Sequence, residues 1–276
     1  MGRSLKPRIA TDTSKLARKN MNEERKGLKE KITNSDIWRS MFRHGYEDTG
    51  RRYTLQVLQN VWLHLHPPRI SRHALNFRFT WCMGGITFLM FLVTAVTGVL
   101  LMFYYRPTAE YAFHDVQYLE FDIPFGMLLR NMHRWAAHGM VISVMLHMFR
   151  VFLTGSYKKP REFNWAVGVI LLLVTFFLSF TGYLLPWDQL AFWAVTVGTN
   201  MARATPVLGH EGPFAPQDIT QSNDVRFALL AGTIVGPSTL LRFYILHCVA
   251  VPLLASVLMA LHFWRVRKDG GISGPL

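Results

Sequence analysis

Four stretches of this chain are apolar for long enough to cross a bilayer, and that decides the solvent in which the fold must be read. Span A runs from about Phe79 to Tyr105, span B from Asn131 to Leu153, span C from Phe163 to Leu185 and span D from Leu240 to Trp264. Each reaches the roughly 20 residues that a helical crossing needs. In hydrocarbon every backbone N–H and C=O must be satisfied within the segment, so each span is predicted to be helical. Half of the 276 residues are hydrophobic and the mean hydropathy is positive, which sets the chain apart from ordinary soluble domains. The expected fold class is an all-α membrane protein, a bundle of four transmembrane helices.

The rest of the chain is organised around these spans. Residues 1–50 are polar, basic and aperiodic, and are expected to form an extension; no apolar core of a secretory signal occurs in the first thirty residues. In residues 51–66, Leu55, Leu58, Trp62 and Leu65 recur at three- and four-residue steps, which predicts an amphipathic helix on the membrane surface, ended by Pro67-Pro68. Residues 51–75 are that helix and its linker, and 76–276 the four-helix domain. The connection between C and D, 186–239, is too long for a turn, and its start, PWDQLAFWAVTVG, is amphipathic enough for a short surface helix.

The net charge of +13 does not point to nucleic acid, because the charge borders the apolar runs. Residues 1–52 hold fourteen Lys/Arg against seven Asp/Glu, and further clusters stand at Lys158-Lys159-Pro160-Arg161 and Arg265-Val266-Arg267-Lys268. The A–B loop is acidic, with Glu110, Asp115, Glu120 and Asp122. The positive-inside rule then puts both termini and the B–C loop on the negative side of the membrane.

Span B carries His133 and His147, and span D carries His247 and His262, at spacings of fourteen and fifteen residues. At 3.6 residues per turn each pair lies near one helix face, about 21–22 Å apart along the axis. Both spans run in the same direction, so the four histidines are expected to meet as two cross-helix pairs at two depths, His133 with His247 and His147 with His262. Two axial imidazoles per iron is bis-histidine haem ligation, which leaves no open position for oxygen and suits electron transfer. A lone membrane histidine reads as polar glue between helices, but ionisable groups are too costly in lipid for two matched pairs to have no purpose. His138 points well away from both ligand positions.

Spans A and C repeat the histidine spacing in glycine. Gly84 and Gly98 are fourteen apart, as are Gly168 and Gly182, and a flat macrocycle between helices needs places without a Cβ. Arg130 and Arg134 flank His133, Arg150 follows His147, and Arg265, Arg267 and Lys268 follow His262. Of these, Arg130, Arg134, Arg150 and Arg267 are candidates for pairing with haem propionates; anchoring at the membrane interface explains them equally. The two cysteines, Cys82 and Cys248, form no CxxC or CxxCH motif, so a disulfide framework, a zinc site and ordinary c-type attachment are unsupported. By position alone each is a small buried hydrophobe.

The strings HRW at 133–135, LHMFRVFLTG at 146–155, KKPREFNW at 158–165, TGYLLPWDQ at 181–189, LLRFYILH at 240–247 and the end GISGPL resemble the cytochrome b6 family. This is the four-helix amino-terminal part of cytochrome b in b6f/bc-type quinol oxidoreductases. The resemblance covers about 76–276, and the fifteen-residue gap in span D matches the b6 type. It implies two haems b, His133 and His247 binding the positive-side haem and His147 and His262 the negative-side haem. It further implies that Cys82, in the run WCMGG, attaches a haem c by a single thioether at the inner quinone site, and that Tyr183, Phe192, Trp193, Ala194 and Val197 line this chain's half of the outer quinol pocket. Cys248 has no such counterpart. The implied partners are a subunit carrying the C-terminal part of cytochrome b, a Rieske iron–sulfur protein, a c-type cytochrome subunit and quinol, in a dimeric complex.

Residues 1–50, the longer segment 210–236 and one added glycine in DGGISG depart from the family pattern, and none touches the haem positions. They favour a bacterial cytoplasmic membrane, with the thylakoid membrane as the alternative. The expected function is transmembrane electron transfer from quinol oxidation, coupled to proton translocation. Two other readings compete with it. One is a dihaem membrane anchor of a dehydrogenase or hydrogenase, without a Rieske partner; the other is a haem-free structural or transport bundle, for which Pro252 in span D would be the broken point.

Overall fold

The structure is a computed structural model that describes residues 77–269 together with Gly27, residues 30–35 and Trp38. The predicted surface helix at 51–66, almost all of the 1–50 extension and the GISGPL end lie outside the described residues. Within them all regular structure is helical, and the principal helices are α1 (Met83–Met102), α2 (Ala112–Phe121), α3 (Gly126–Leu153), α4 (Glu162–Tyr183), α5 (Gln189–Met201), α6 (Val225–Leu230), α7 (Pro237–Ile245) and α8 (Val251–Lys268). A five-residue π turn, Leu246–Ala250, joins α7 to α8.

Four of these segments are long and apolar enough to cross a membrane: α1, α3, α4, and α7 with α8 as one rod, Pro237–Lys268. They are spans A to D, each within a few residues of its predicted bounds. Leu89, Val96, Leu173 and Leu253 stand exposed on the spans, as they would against lipid chains. The chain is an integral membrane protein.

The bundle is two helix pairs facing each other. Span A packs along span B, and span C along span D, while B touches C less extensively. Between A and B the contact is close enough for Met90 Sδ to lie 3.2 Å from where a Cβ on Gly139 would sit. Thr87 Oγ1 and Ser143 Oγ join the same two helices at 2.9 Å. The slot between the two pairs is where the histidines lie.

One end of the bundle is closed by the long C–D connection. The predicted surface helix forms as α5, and Asp188 caps it by accepting from Ala191 N–H at 2.7 Å. Helix α6 packs on α5 and α7, and Leu184, Val195, Leu230 and Phe243 make one buried cluster at that junction. Asp224, fully buried, caps α6 through Phe227 N–H at 2.8 Å and meets His210 Nδ1 at 2.5 Å. Burial pushes the Asp224 carboxyl up, but the bonds from Phe227 and His210 outweigh it and hold the carboxyl below its ordinary range. At the same end α2, unforeseen in the acidic A–B loop, is fixed by Arg106, whose Nη2 and Nε reach Asp115 at 2.6 and 3.0 Å.

The π turn resolves an inequality in the sequence. In a plain α-helix fourteen residues fall about 40° short of four turns, whereas fifteen overshoot by about 60°. The two histidine pairs of spans B and D would then diverge by about 100°. A π turn takes one additional residue into a turn, so the fifteen residues from His247 to His262 rotate as fourteen do elsewhere. The turn contains His247, and Val251 N–H bonds Leu246 C=O, five residues back. Pro252 follows immediately. It has no N–H to give an α-type bond, and its ring would crowd the carbonyl four residues earlier, so the backbone opens there.

A deletion pair tests this account by counting haems per chain. Removing Val249 together with Pro252→Ala should convert span D to a plain helix with a fourteen-residue gap and keep the full complement. Removing Val257 leaves the π turn in place and should swing His262 off the slot, with loss of the haem at that depth. Equal haem content in the two variants would show that the π turn does not set the register.

Candidate haem-binding site

The four histidines meet as two pairs. The ring centres of His133 and His247 are 6.2 Å apart with planes 75° to each other, and those of His147 and His262 are 6.4 Å apart at 83°. Two metal–imidazole bonds of roughly 2 Å, with about 1 Å more on each side from ring nitrogen to ring centre, come to about 6 Å. Each pair is therefore spaced for one iron between its rings. Among the described residues no group of three or more His, Cys, Asp or Glu gathers as a metal site. An ion held by two imidazoles alone needs its remaining ligands from a prosthetic group such as a porphyrin.

The glycines are placed one to each histidine, on the neighbouring helix of the same pair. A Cβ on Gly98 would lie 3.1 Å from His133 Cε1, on Gly84 3.4 Å from His147 Cε1, on Gly168 3.6 Å from His262 Cε1, and on Gly182 2.5 Å from His247 Cε1. The tightest approach falls on the histidine in the π turn. The glycines thus let the rings lie back against spans A and C, which holds them aimed into the slot. This is a closer role than the general access for a macrocycle that their spacing suggested.

Hydrogen bonds fix two of the rings. His133 Nδ1 is 3.0 Å from Thr97 Oγ1, and His247 Nδ1 is 3.1 Å from the Leu178 carbonyl and 3.2 Å from Thr181 Oγ1. Engaging Nδ1 leaves Nε2 as the free ligand nitrogen on both, the arrangement usual in metal-bound histidine. His138 is exposed and bonds the Arg134 carbonyl of its own helix turn at 2.8 Å.

The candidate arginines divide. Arg130 forms an ion pair with Glu120, a partner ten residues away that the sequence did not single out. Arg134 is exposed, while Arg150 and Arg267 are half-buried. Beside His262 the deeply buried cation is Arg265 rather than Arg267. It is wholly buried, with Nη2 3.0 Å from Asp269 Oδ1 and its guanidinium 5.3 Å from the Phe163 ring centre. Arg161, also buried, donates to the Asp269 carbonyl at 3.4 Å. In the sequence both were members of basic clusters; only the packing of the B–C loop against the end of α8 distinguishes them.

Cys82 is exposed and lies two residues before Gly84, which touches His147. It and Trp81 both have left-handed backbone, φ 48° and 52°, a conformation that costs non-glycine residues of order 1–3 kcal/mol. Cys248 sits half-buried in the π turn beside His247. Of the residues expected at a quinol pocket, Tyr183, Phe192, Trp193 and Val197 are exposed at the end of α4 and along α5, whereas Ala194 packs inward on the buried junction cluster.

The family model described as Cytochrome b/b6/petB matches residues 71–270. Cytochrome b6 of Gracilaria tenuistipitata var. liui and of Porphyra purpurea is in each case 47% identical over 196 residues, 71% of this chain and 85% of the relative. Cytochrome b6 of Auxenochlorella protothecoides is 48% identical over 197 residues, with the same coverage. A chain of a solved structure, "Hyperthermophilic respiratory Complex III", superposes with a TM-score of 0.62 at 28% identity, over 83% of this chain and 55% of that one.

Substitution of the glycines should follow the distances. Gly182→Ala forces His247 to move and should lose the haem at that depth, whereas Gly168→Ala, at ordinary van der Waals distance, should keep both. Reduced-minus-oxidised spectra and haem content read the result; the same loss in both variants would detach the glycines from ligand placement.

Proposed function

The chain belongs to the cytochrome b/b6 family of quinol-oxidising b6f/bc complexes, and from that premise we propose that it conducts electrons across the membrane from quinol oxidation, coupled to proton translocation. Membership implies haem b and a place in a quinol oxidoreductase complex with other subunits. The observation that carries the finer reading is the two imidazole pairs, about four helical turns apart, with ring centres 6.2 and 6.4 Å apart. In this reading His133 and His247 hold a haem b at the positive side, and His147 and His262 hold a second at the negative side.

When bound, haem b supplies a one-electron couple with both axial positions filled. The chain's own residues ligate and orient it. The histidines supply Nε2, the four glycines give the rings room, and the apolar helix faces exclude water from the slot. Arg150 and Arg267, with Arg161 and Arg265 beside them, supply positive charge for propionates at the negative-side end, part of it offset by Asp269. Arg130 and Arg134 do so at the other, where Glu120 offsets part of the charge. Cys82 is proposed as the single thioether attachment for a haem c, supported by its exposure and by its closeness in sequence to Gly84. Tyr183, Phe192, Trp193, Ala194 and Val197 are proposed as this chain's half of an outer quinol pocket, supported by the exposed aromatic face of α5.

The partners proposed are a subunit with the C-terminal part of cytochrome b, a Rieske iron–sulfur protein and a c-type cytochrome subunit, in a dimeric complex with quinol as substrate. The chain spans just over half of the complex III chain that it resembles. The membrane proposed is the bacterial cytoplasmic membrane, with both termini on the negative side and the thylakoid membrane as the alternative.

Two measurements on the isolated complex test this. With quinol present, adding an oxidant for the Rieske partner should increase reduction of haem b, because the two electrons of quinol must part; a dihaem anchor of a dehydrogenase would show no such dependence and no co-purifying Rieske protein. On a denaturing gel, haem stain should stay with this chain and disappear in Cys82→Ser. Loss of stain from the wild type, with b-type absorbance intact beforehand, would remove the haem c and leave the two-haem reading standing.

A further inference from the structure

The two histidine pairs differ in what stands just before each glycine. Thr97 precedes Gly98 and Thr181 precedes Gly182, whereas Met83 precedes Gly84 and Val167 precedes Gly168. Both threonines are buried, so water does not compete for them, and both reach the rings of the His133/His247 pair, at 3.0 and 3.2 Å from Nδ1. Their protons are already committed. Thr97 O–H donates to the Val93 carbonyl at 2.6 Å and Thr181 O–H to the Phe177 carbonyl at 2.9 Å. A hydroxyl has one proton to give, so each threonine oxygen faces its imidazole as an acceptor and the ring Nδ1–H donates. The Leu178 carbonyl beside His247 Nδ1 can only accept, which fixes the same tautomer.

The other pair lacks this support. His262 Nδ1 is buried and lacks a partner within hydrogen-bond geometry; the Asn164 carbonyl is its nearest backbone acceptor. Among the described residues His147 makes no hydrogen bond either. An imidazole that donates its second N–H becomes a more basic, electron-rich ligand, and such a ligand favours the more highly charged, oxidised iron.

We propose, resting on the haem-binding reading above, that Thr97 and Thr181 are positioning residues that lower the reduction potential of the His133/His247 site by accepting the Nδ1–H of its two imidazoles. A threonine before the glycine at one depth and an apolar residue at the other is thus a difference written into spans A and C rather than into the ligands.

The test is made on the isolated complex, reading the midpoint potentials of the two haems b optically. Thr97→Val and Thr181→Val keep the side-chain shape and remove the acceptor. Each should raise the reduced-to-oxidised ratio at the His133/His247 site by about three- to tenfold at a fixed ambient potential; tenfold corresponds to about 59 mV for a one-electron couple. The other site should not move, and Thr→Ser at either position should return the wild-type value. Val167→Thr, of equal shape, adds an acceptor beside His262 and should lower that site's potential by a similar factor. Unchanged potentials in the valine variants, or equal shifts at both sites, would overturn the proposal. If a valine variant fails to bind haem, the Val167→Thr arm decides, and no shift there overturns it too. A wild-type complex without two haems b would instead contradict the haem-binding reading itself.

Discussion

The pairing of imidazoles across the slot between two helix pairs is what the rest of this structure serves. Nitrogen-bearing rings are costly in hydrocarbon, and in this bundle four of them are brought to two points at different depths. That requires helices with little else in common to agree on rotation, on depth and on the room left beside each ring. Spans B and D supply the rings; spans A and C supply glycines at matched heights, so each histidine lies back against its own neighbour while facing its partner across the slot. The close A–B and C–D packing, against the looser contact between the pairs, follows from the same demand, since a flat group can enter only where the two halves stand apart.

Register is the second condition, and span D meets it by an irregularity. The π turn at Leu246–Ala250, opened ahead of Pro252, absorbs the residue by which the D spacing exceeds the B spacing. A helix break in a membrane span is tolerable only where neighbouring groups satisfy or shield the backbone. Here the break lies against span C, where Gly182, Leu178 and Thr181 surround His247. It also sits next to the buried cluster that fastens α5, α6 and α7 together. That cluster joins the ligand helix to the aromatic helix on which the outer quinol pocket is proposed.

Much of this was legible in the sequence because membrane chemistry is severe. Long apolar runs, repeated spacings and histidines in lipid-facing segments have few explanations, and the four spans and their cross-helix pairing follow from them. What was not legible depended on contacts between distant residues. A spacing of fifteen gives no sign of whether it is absorbed by a π turn or by a rotation of the helix. Arg130 reads as an interfacial cation until Glu120 is brought to it, and Arg265 looks like one member of a basic cluster until the end of α8 folds over it. The threonines before Gly98 and Gly182 are ordinary span residues until their oxygens are found at Nδ1. Helix α2 escaped notice because its charges mark it as a loop, whereas Asp115 is in fact buried against Arg106.

The central claim is that each pair of histidines fills both axial positions of one haem. The most direct measurement is the haem b content per chain of the isolated complex, taken together with its low-temperature ferric electron paramagnetic resonance spectrum. The account predicts two haems b per chain, both low-spin and six-coordinate, and no change in the haem b bands on adding carbon monoxide to the reduced protein. One haem b per chain, or a high-spin signal from stoichiometric haem b in the intact complex, would contradict it.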